Sequence, residues 1–331
     1  MKAVGIYKYL PINEPESFIE ATLPKPKASG NKIVVQVQSV GVNPVDTKIR
    51  SPKAKVEENL RVLGWDVYGI VSEISPEAKK FKVGDRVFYS PNVLGVGANS
   101  EYHLVDERIV AKAPAKLSED SIAGLPLVSL TAFESLFDRM NIKKGKSILI
   151  IGGAGGVGSI AIQLAKWAGL TVIATSSRSA SEEWCKKLGA DFIINHNQDF
   201  APQIKTFGLQ YVDYILCLNS TEKHWKQMAE VIVPEGHINS IVETSTDINL
   251  NAIKGKSVTF SWEFMSTRQI HNQNVERQGE IMEKIANLID NGILKDITTQ
   301  KLSPINAQNL KKAHSMLEAG DMIGKITVSG W

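Results

Sequence analysis

Apolar positions alternate with polar ones through the opening part of the chain and then give way to longer periods. Up to about Leu117 they fall in short runs broken by turn residues: MKAVGIY, the alternating KIVVQVQSVGV, YGIVSEI, GDRVFYS and EYHLVD. Such runs predict strands, so residues 1–117 read as a β-rich domain. From Ser118 a helical pattern appears, followed by the apolar strands SILII, TVIAT, DFIIN, VDYILCL, HINSIV and SVTFSW with helices between them. That alternation predicts an α/β domain over 118–262, a doubly wound parallel sheet covered by helices on both faces. Beyond Trp262 the pattern predicts helices around Val275 to Asp290 and Asn306 to Ala319 and a last strand, KITVS. Residues 263–331 are too few to build a core alone and are expected to return to the N-terminal domain.

The stretch ILIIGGAGGVGS, Ile148 to Ser159, interrupts this pattern with five glycines, and no charge occurs from Ser147 to Ala165. A membrane span is disfavoured, because Gly costs about 1 kcal/mol per position in a helix interior and no second span exists to pack against. A nucleoside-triphosphate loop needs Lys and then Ser or Thr after its last glycine, whereas Gly158 is followed by Ser159 and Ile160. The third reading is a dinucleotide fingerprint. Gly153, Gly155 and Gly158 supply G-x-G-x-x-G between the strand SILII and the helix SIAIQLAKWA. The first glycine is expected to permit the tight turn, the second to let backbone approach a pyrophosphate, and the third to let helix pack on strand. Gly153, Ala154, Gly155, Gly156, Val157 and Gly158 are therefore the candidate phosphate cradle.

Composition adds exclusions. The 331 residues are 43% hydrophobic and 22% charged, and the formal charge of +3 is too small to imply a nucleic-acid partner. The N-terminus lacks the long apolar core of a signal peptide, so a cytoplasmic protein with no membrane association is expected. The two cysteines, Cys185 and Cys217, make neither a disulfide framework nor a metal cluster.

Seven landmarks in fixed order carry a family resemblance. They are GVNPVDTKIR (Gly41 to Arg50), GWDVYGIVSEI (Gly64 to Ile74), FKVGDRVF (Phe81 to Phe88), SEYHLVD (Ser100 to Asp106), LPLVSLTAFESL (Leu125 to Leu136), the glycine fingerprint and GKITVS. Together they resemble the medium-chain dehydrogenase/reductase superfamily, and within it the zeta-crystallin-like quinone oxidoreductases and the bacterial zinc-type alcohol dehydrogenase-like proteins. The resemblance implies a Rossmann domain plus a β-rich GroES-like catalytic domain. It also implies an oxidoreductase that acts without zinc. Where zinc-bearing members place a ligating Cys this chain has Asn43, where they place His then Glu it has Trp65 and Asp66, and at the third ligand position it has Leu127. An amide, an indole and an isobutyl group do not make a tight zinc site.

Without a Lewis acid, a quinone or an α,β-unsaturated carbonyl is the fitting hydride acceptor, because it spreads the developing charge over a conjugated oxygen. The resemblance places Asn43 and Thr131 near the nicotinamide, Asn43 to position a substrate carbonyl or the cofactor and Thr131 its ribose or ring. Each also has a structural reading, as a cap before Pro44 and as a hydroxyl satisfied within its helix. Lys48 stands where several quinone reductases have Tyr, and is either a polarising ammonium or an exposed helical lysine. Asp46 and Arg50 read as local structural partners, and Asp66 as support for the site wall. At ATSSR, Ser176 occupies the place of the acid that binds the ribose 2′-hydroxyl of NAD. With Ser177 and Arg178 it suits the 2′-phosphate of NADPH, the expected cofactor. The alternative for these serines is a cap on the next helix.

Two related activities remain open, a 2-alkenal or enoyl-thioester reductase. A non-enzymatic crystallin-like or RNA-binding protein is a third reading. The segments Ser51 to Leu63 and Trp262 to Asn274 are expected to be loops lining the pocket for the small-molecule substrate. A homodimer is expected through the edge strand SVTFSW.

Overall fold

β-branched and aromatic residues crowd the segments between turns, and these segments form the strands. The computed structural model describes all residues, Met1–Trp331. Contacts divide the chain into one unit of Met1–Leu127, Ser266–Gly292 and Asp296–Trp331 and another of Val128–Met265 with Ile293–Lys295.

The first unit begins with β1 (Lys2–Tyr9), β2 (Ile19–Thr22), β3 (Lys32–Val42), helix α1 (Pro44–Arg50), β4 (Lys53–Val62), β5 (Val67–Ile74), β6 (Arg86–Tyr89), β7 (Tyr102–Asp106) and β8 (Ala111–Lys112). Strands β2, β1 and β4 make an antiparallel three-stranded sheet. The segment expected as a pocket loop, Ser51 to Leu63, is thus mostly strand. Lys53, Lys55, Glu57, Glu58 and Arg61 mask its period with charge, as edge strands commonly do. The larger sheet centres on β3, which pairs antiparallel with β5 and with β7. Ile33, Val34 and Val35 of β3 are all fully buried, so the strand is covered on both faces rather than on one.

Helix α2 (Glu119–Ile122) belongs with this first unit, and so does the start of α3 (Pro126–Phe133). The Ser39 hydroxyl donates to Glu119 O at 2.8 Å and the Tyr68 hydroxyl to the Glu119 carboxylate at 2.8 Å. The helical pattern that starts at Ser118 therefore does not mark the division, which falls at Leu127.

The second unit carries β9 (Ser147–Ile151), α4 (Gly156–Trp167), β10 (Thr171–Thr175), α5 (Ser179–Leu188), β11 (Phe192–Ile194), α6 (Phe200–Lys205), β12 (Val212–Cys217), α7 (Thr221–Val231), β13 (Ile232–Ser240), α8 (Asn251–Lys254) and β14 (Thr259–Trp262). All pairings are parallel, in the order β11-β10-β9-β12-β13-β14. This is the Rossmann order, whose direction reverses between β9 and β12. Leu149, Ile151, Ile173, Ile215 and Ile238 fill its core from successive strands. Strand β14 is the outer edge of this sheet.

The chain then adds α9 (Thr267–Ile270), α10 (Glu276–Asp290), β15 (Thr298–Leu302), α11 (Ala307–Glu318) and β16 (Lys325–Ser329) to the first unit. Strand β16 pairs antiparallel with β3, Ile326 opposite Val42. The last strand thus lies beside the end of β3, immediately before Asn43.

Candidate functional site

The glycine loop leaves β9 at the point where strand order reverses and enters α4. Its glycines divide the work among themselves, and Gly152 joins the three of the fingerprint. The tight turn has Gly153 and Ala154 at its centre, closed by the Gly155 N–H on Gly152 O at 3.3 Å, and its left-handed residue is Gly152, with φ of +86°. Gly153 also lacks a side chain for packing: a Cβ there would lie 2.8 Å from the Ala174 Cβ and 3.2 Å from the Cys185 sulfur. At Gly158 a Cβ would meet the carbonyl oxygens of Gly152 and Gly153 at 2.4 and 2.6 Å. This glycine lets α4 close on the turn itself. Gly155 is different, because the nearest atom to its Cβ would be 3.6 Å away. It is the N-cap of α4, its side-chain hydrogen caps nothing, and Gly155, Gly156 and Val157 are half-exposed while Ala154 is buried. An N-terminus with bare backbone N–H groups is an anion site. The residues fit the pyrophosphate of a dinucleotide.

At the end of β10, Ser176 is buried and turned inward. Its hydroxyl donates to Arg178 O at 3.0 Å and shares a 2.7 Å hydrogen bond with the Ser181 hydroxyl. The Arg178 N–H returns to the Ser176 hydroxyl at 3.4 Å. Ser176 therefore shapes the turn into α5, the capping alternative, whereas Ser177 and Arg178 are exposed. Lys223 and Arg178 both depress the pKa of His196, after burial, which places positive charge together here.

In the first unit, Asn43 follows the end of β3 and is the N-cap of α1. Asp46 closes the cap: its carboxylate accepts the Asn43 N–H at 2.8 Å, and its own N–H donates to Asn43 O at 3.0 Å. The Asn43 amide is 1% exposed and engaged at both ends. Its nitrogen donates to Asp66 Oδ2 at 2.9 Å, and its oxygen accepts the Lys325 ammonium at 2.5 Å. Lys325 also donates to Asp66 Oδ2 at 3.0 Å and to Val42 O at 3.0 Å, and Asp66 Oδ1 accepts the Leu127 N–H at 2.6 Å at the start of α3. Burial raises the Asp66 pKa, opposed by Lys325 and by the N–H groups of Leu127 and Asn43. Three donors on its two oxygens favour the ionised form against that burial. Asp46 has fewer partners, and burial pushes it up to about 7.

Lys48 is exposed on α1 and Thr131 is buried on α3 in the second unit. Arg50 is a structural partner: its guanidinium donates to Leu10 O at 2.6 Å and to His314 Nδ1 at 3.3 Å and pairs with Glu318. The residue that sequence reading passes over is Lys325. Its motif was recognised, but a lysine opening a strand reads as a surface charge until the pairing with β3 turns it inward.

The family's metal does not fit these residues. Trp65 is fully buried, Leu127 contributes a backbone N–H, a donor, and the Asp66 carboxylate is committed to three hydrogen bonds. No group of three or more His, Cys, Asp and Glu side chains is arranged to hold a metal ion.

Two family descriptions match the chain, the alcohol dehydrogenase GroES-like domain over residues 29–115 and zinc-binding dehydrogenase over 156–277. A zinc-type alcohol dehydrogenase-like protein of Staphylococcus aureus is 43% identical over 99% of this chain and 100% of its own length. The chain belongs to the medium-chain dehydrogenase/reductase superfamily. The 2-methylene-furan-3-one reductase of Solanum lycopersicum is 30% identical over 94% of this chain and 74% of its own length. Among solved structures, a Rhizobium etli protein described as a candidate zinc-dependent alcohol dehydrogenase superposes with a TM-score of 0.96 at 40% identity, covering 100% of this chain and 98% of that one. The Escherichia coli quinone oxidoreductase complexed with NADPH superposes with a TM-score of 0.83 at 25% identity, covering 99% and 100%. The chain is an oxidoreductase of the superfamily's type, and a nicotinamide cofactor goes with it. No helix is long and apolar enough to cross a membrane.

Two outcomes are expected from this geometry. Gly158→Ala forces backbone apart and should lower the thermal midpoint of unfolding of the cofactor-free protein, whereas Gly155→Ala should leave it unchanged and weaken dinucleotide binding in calorimetry. Equal midpoints for the two variants would contradict this division of work. Asp46 supplies the second. Its folded pKa is raised from 3.8 to about 7, so the folded state binds the proton more tightly and stability falls as pH rises from about 4 to about 7. Asp46→Asn keeps an oxygen for the Asn43 N–H and should flatten that slope in urea unfolding measured across the same window.

Proposed function

We propose that the protein is a zinc-independent, NADPH-dependent reductase of quinones or α,β-unsaturated carbonyls. The observation that carries this reading is the bare N-terminus of α4, opened by Gly155 at the reversal point of a Rossmann sheet. When bound there, the cofactor supplies hydride from its nicotinamide ring.

The chain's own residues do the rest by binding and orientation. The Gly155 N–H closes the loop on Gly152 O at 3.3 Å, and the N–H groups at Gly156 and Val157 hold the pyrophosphate. Ser177 and the Arg178 guanidinium meet the 2′-phosphate, and Ser176 keeps their turn in shape. Thr131 orients the nicotinamide ribose or ring. The second Asn43 amide N–H donates to the substrate oxygen on which charge develops, and Lys48 on α1 assists that oxygen electrostatically.

The acceptor class follows from the donor set. An amide N–H stabilises an enolate or a hydroquinone oxygen, whose charge is already delocalised, far better than it activates a simple alcohol. The tomato enone reductase and the bacterial quinone oxidoreductase that resemble this chain support the same class. A 2-alkenal or enoyl-thioester reductase would use the same groups with a different pocket shape. The test is NADPH absorbance with a panel of quinones, enones, alkenals and enoyl thioesters. Oxidation of none of them would return the chain to a binding role.

NADPH should be preferred over NADH, and Arg178→Ala should remove much of the preference. A hydrogen bond to a charged group contributes roughly 1.5–3 kcal/mol, so NADPH binding should weaken by roughly 10- to 150-fold. Arg178 is exposed, which puts the loss near the low end and makes it salt-sensitive. Equal weakening of both cofactors would show that the loop only shapes the turn. Turnover should also survive exhaustive chelation, with no stoichiometric zinc found by metal analysis; zinc whose removal abolishes activity would sink the proposal.

A further inference from the structure

Lys325 opens β16, is 3% exposed, and places its ammonium among three oxygens: Asn43 Oδ1 at 2.5 Å, Val42 O at 3.0 Å and Asp66 Oδ2 at 3.0 Å. An ammonium has three N–H groups, and each has one partner. Asp66 is held in turn by the Asn43 amide and the Leu127 N–H. Asn43, Asp66 and Leu127 come from the same positions, or the second of a pair, at which zinc-bearing members of the superfamily carry ligands. Here Asn43 and Asp66 meet one cation, the Lys325 side chain, and Leu127 is joined to them through Asp66.

We infer that Lys325 is the resident cation of this site, a positioning residue that fixes the Asn43 amide and balances Asp66 where the superfamily's metal finds no ligands. The orientation follows from the inventory of donors and acceptors. Lysine only donates and an ionised carboxylate only accepts, so Asn43 must turn its oxygen to Lys325 and its nitrogen to Asp66. The opposite flip would set N–H against ammonium and oxygen against carboxylate in a buried site. One amide N–H is left over, and its direction is therefore set by the lysine. A divalent ion could enter only by displacing an ammonium already satisfied by these oxygens. The consequence for catalysis rests on the proposed function, in which that remaining N–H meets the substrate oxygen.

The test is Lys325→Met, which keeps length and removes charge. Should it leave Asp66 uncompensated and fail to fold, Lys325→Met combined with Asp66→Asn removes both charges and keeps an acceptor for the Leu127 N–H. The first readout is the Asn43 side-chain amide in 1H–15N spectra, assigned by its absence from Asn43→Ala. Its two proton resonances should shift and exchange faster with solvent in the lysine variant. The second is the kcat and KM split: kcat with a reducible quinone should fall at least about tenfold, with the NADPH KM within about twofold of the parent. Amide resonances at their parental positions would overturn the inference. Shifted resonances with unchanged kcat would leave Lys325 as the holder of Asn43 and overturn instead the part given to Asn43 in the proposed reaction.

Discussion

The first unit depends on a buried ammonium facing a buried carboxylate. Lys325 and Asp66 are 3% and 0% exposed, and neither charge is tolerable in a protein interior without the other. Removing one partner of such a pair costs about 3–5 kcal/mol, because the other is left uncompensated. The pair therefore fastens the elements that carry it: β16 at the end of the chain, the beginning of β5, the junction of β3 with α1 through Asn43, and the start of α3 through Leu127. Sheet pairing of β16 with β3 brings the lysine to Val42, and the hydrogen bonds then set the direction of every polar group around it. Residues separated by most of the chain become one rigid cluster.

The second unit obeys a constraint of close approach. Its loop holds backbone against backbone at Gly158 and backbone against side chain at Gly153, so the space that glycine provides is mostly filled by the protein itself. At Gly155, where the helix begins, it remains open. The loop is thus rigid where it turns and unobstructed where α4 begins, which is the combination an anion site requires: fixed N–H groups that need no rearrangement on binding. The inward hydroxyl of Ser176 plays the same part at the next strand, where it secures the turn from which Ser177 and Arg178 project.

The parallel sheet was legible because its central strands β9 and β10 have unbroken apolar centres and alternate with helical patterns, and the fingerprint because glycines at those spacings follow such a run and precede a helix. Strand β4 was hidden for the opposite reason, since its lysines and glutamates face outward and cancel the apolar period. Spacing does not encode one detail of the turn that Gly153 occupies: the backbone angle shows that its neighbour Gly152 takes the left-handed conformation. Lys325 was out of reach for a deeper reason. Burial of a charge depends on what the register of β16 sets beside it, and its partners lie hundreds of residues earlier.

The same burial bears on the choice of acceptor. A metal ion with an open position can touch an alkoxide and take its charge directly, whereas the Lys325 ammonium is surrounded by protein oxygens and spends all its hydrogen bonds on them. In the proposed reaction its influence on a substrate passes through the Asn43 amide, a neutral donor whose strength is that of one well-aimed hydrogen bond, about two to three orders of magnitude in rate where such donors have been removed. That is too little to stabilise a localised alkoxide and enough to assist an oxygen that shares its charge with a conjugated system. In the proposed reaction, a site whose cation is enclosed in this way suits acceptors that carry their own means of spreading charge.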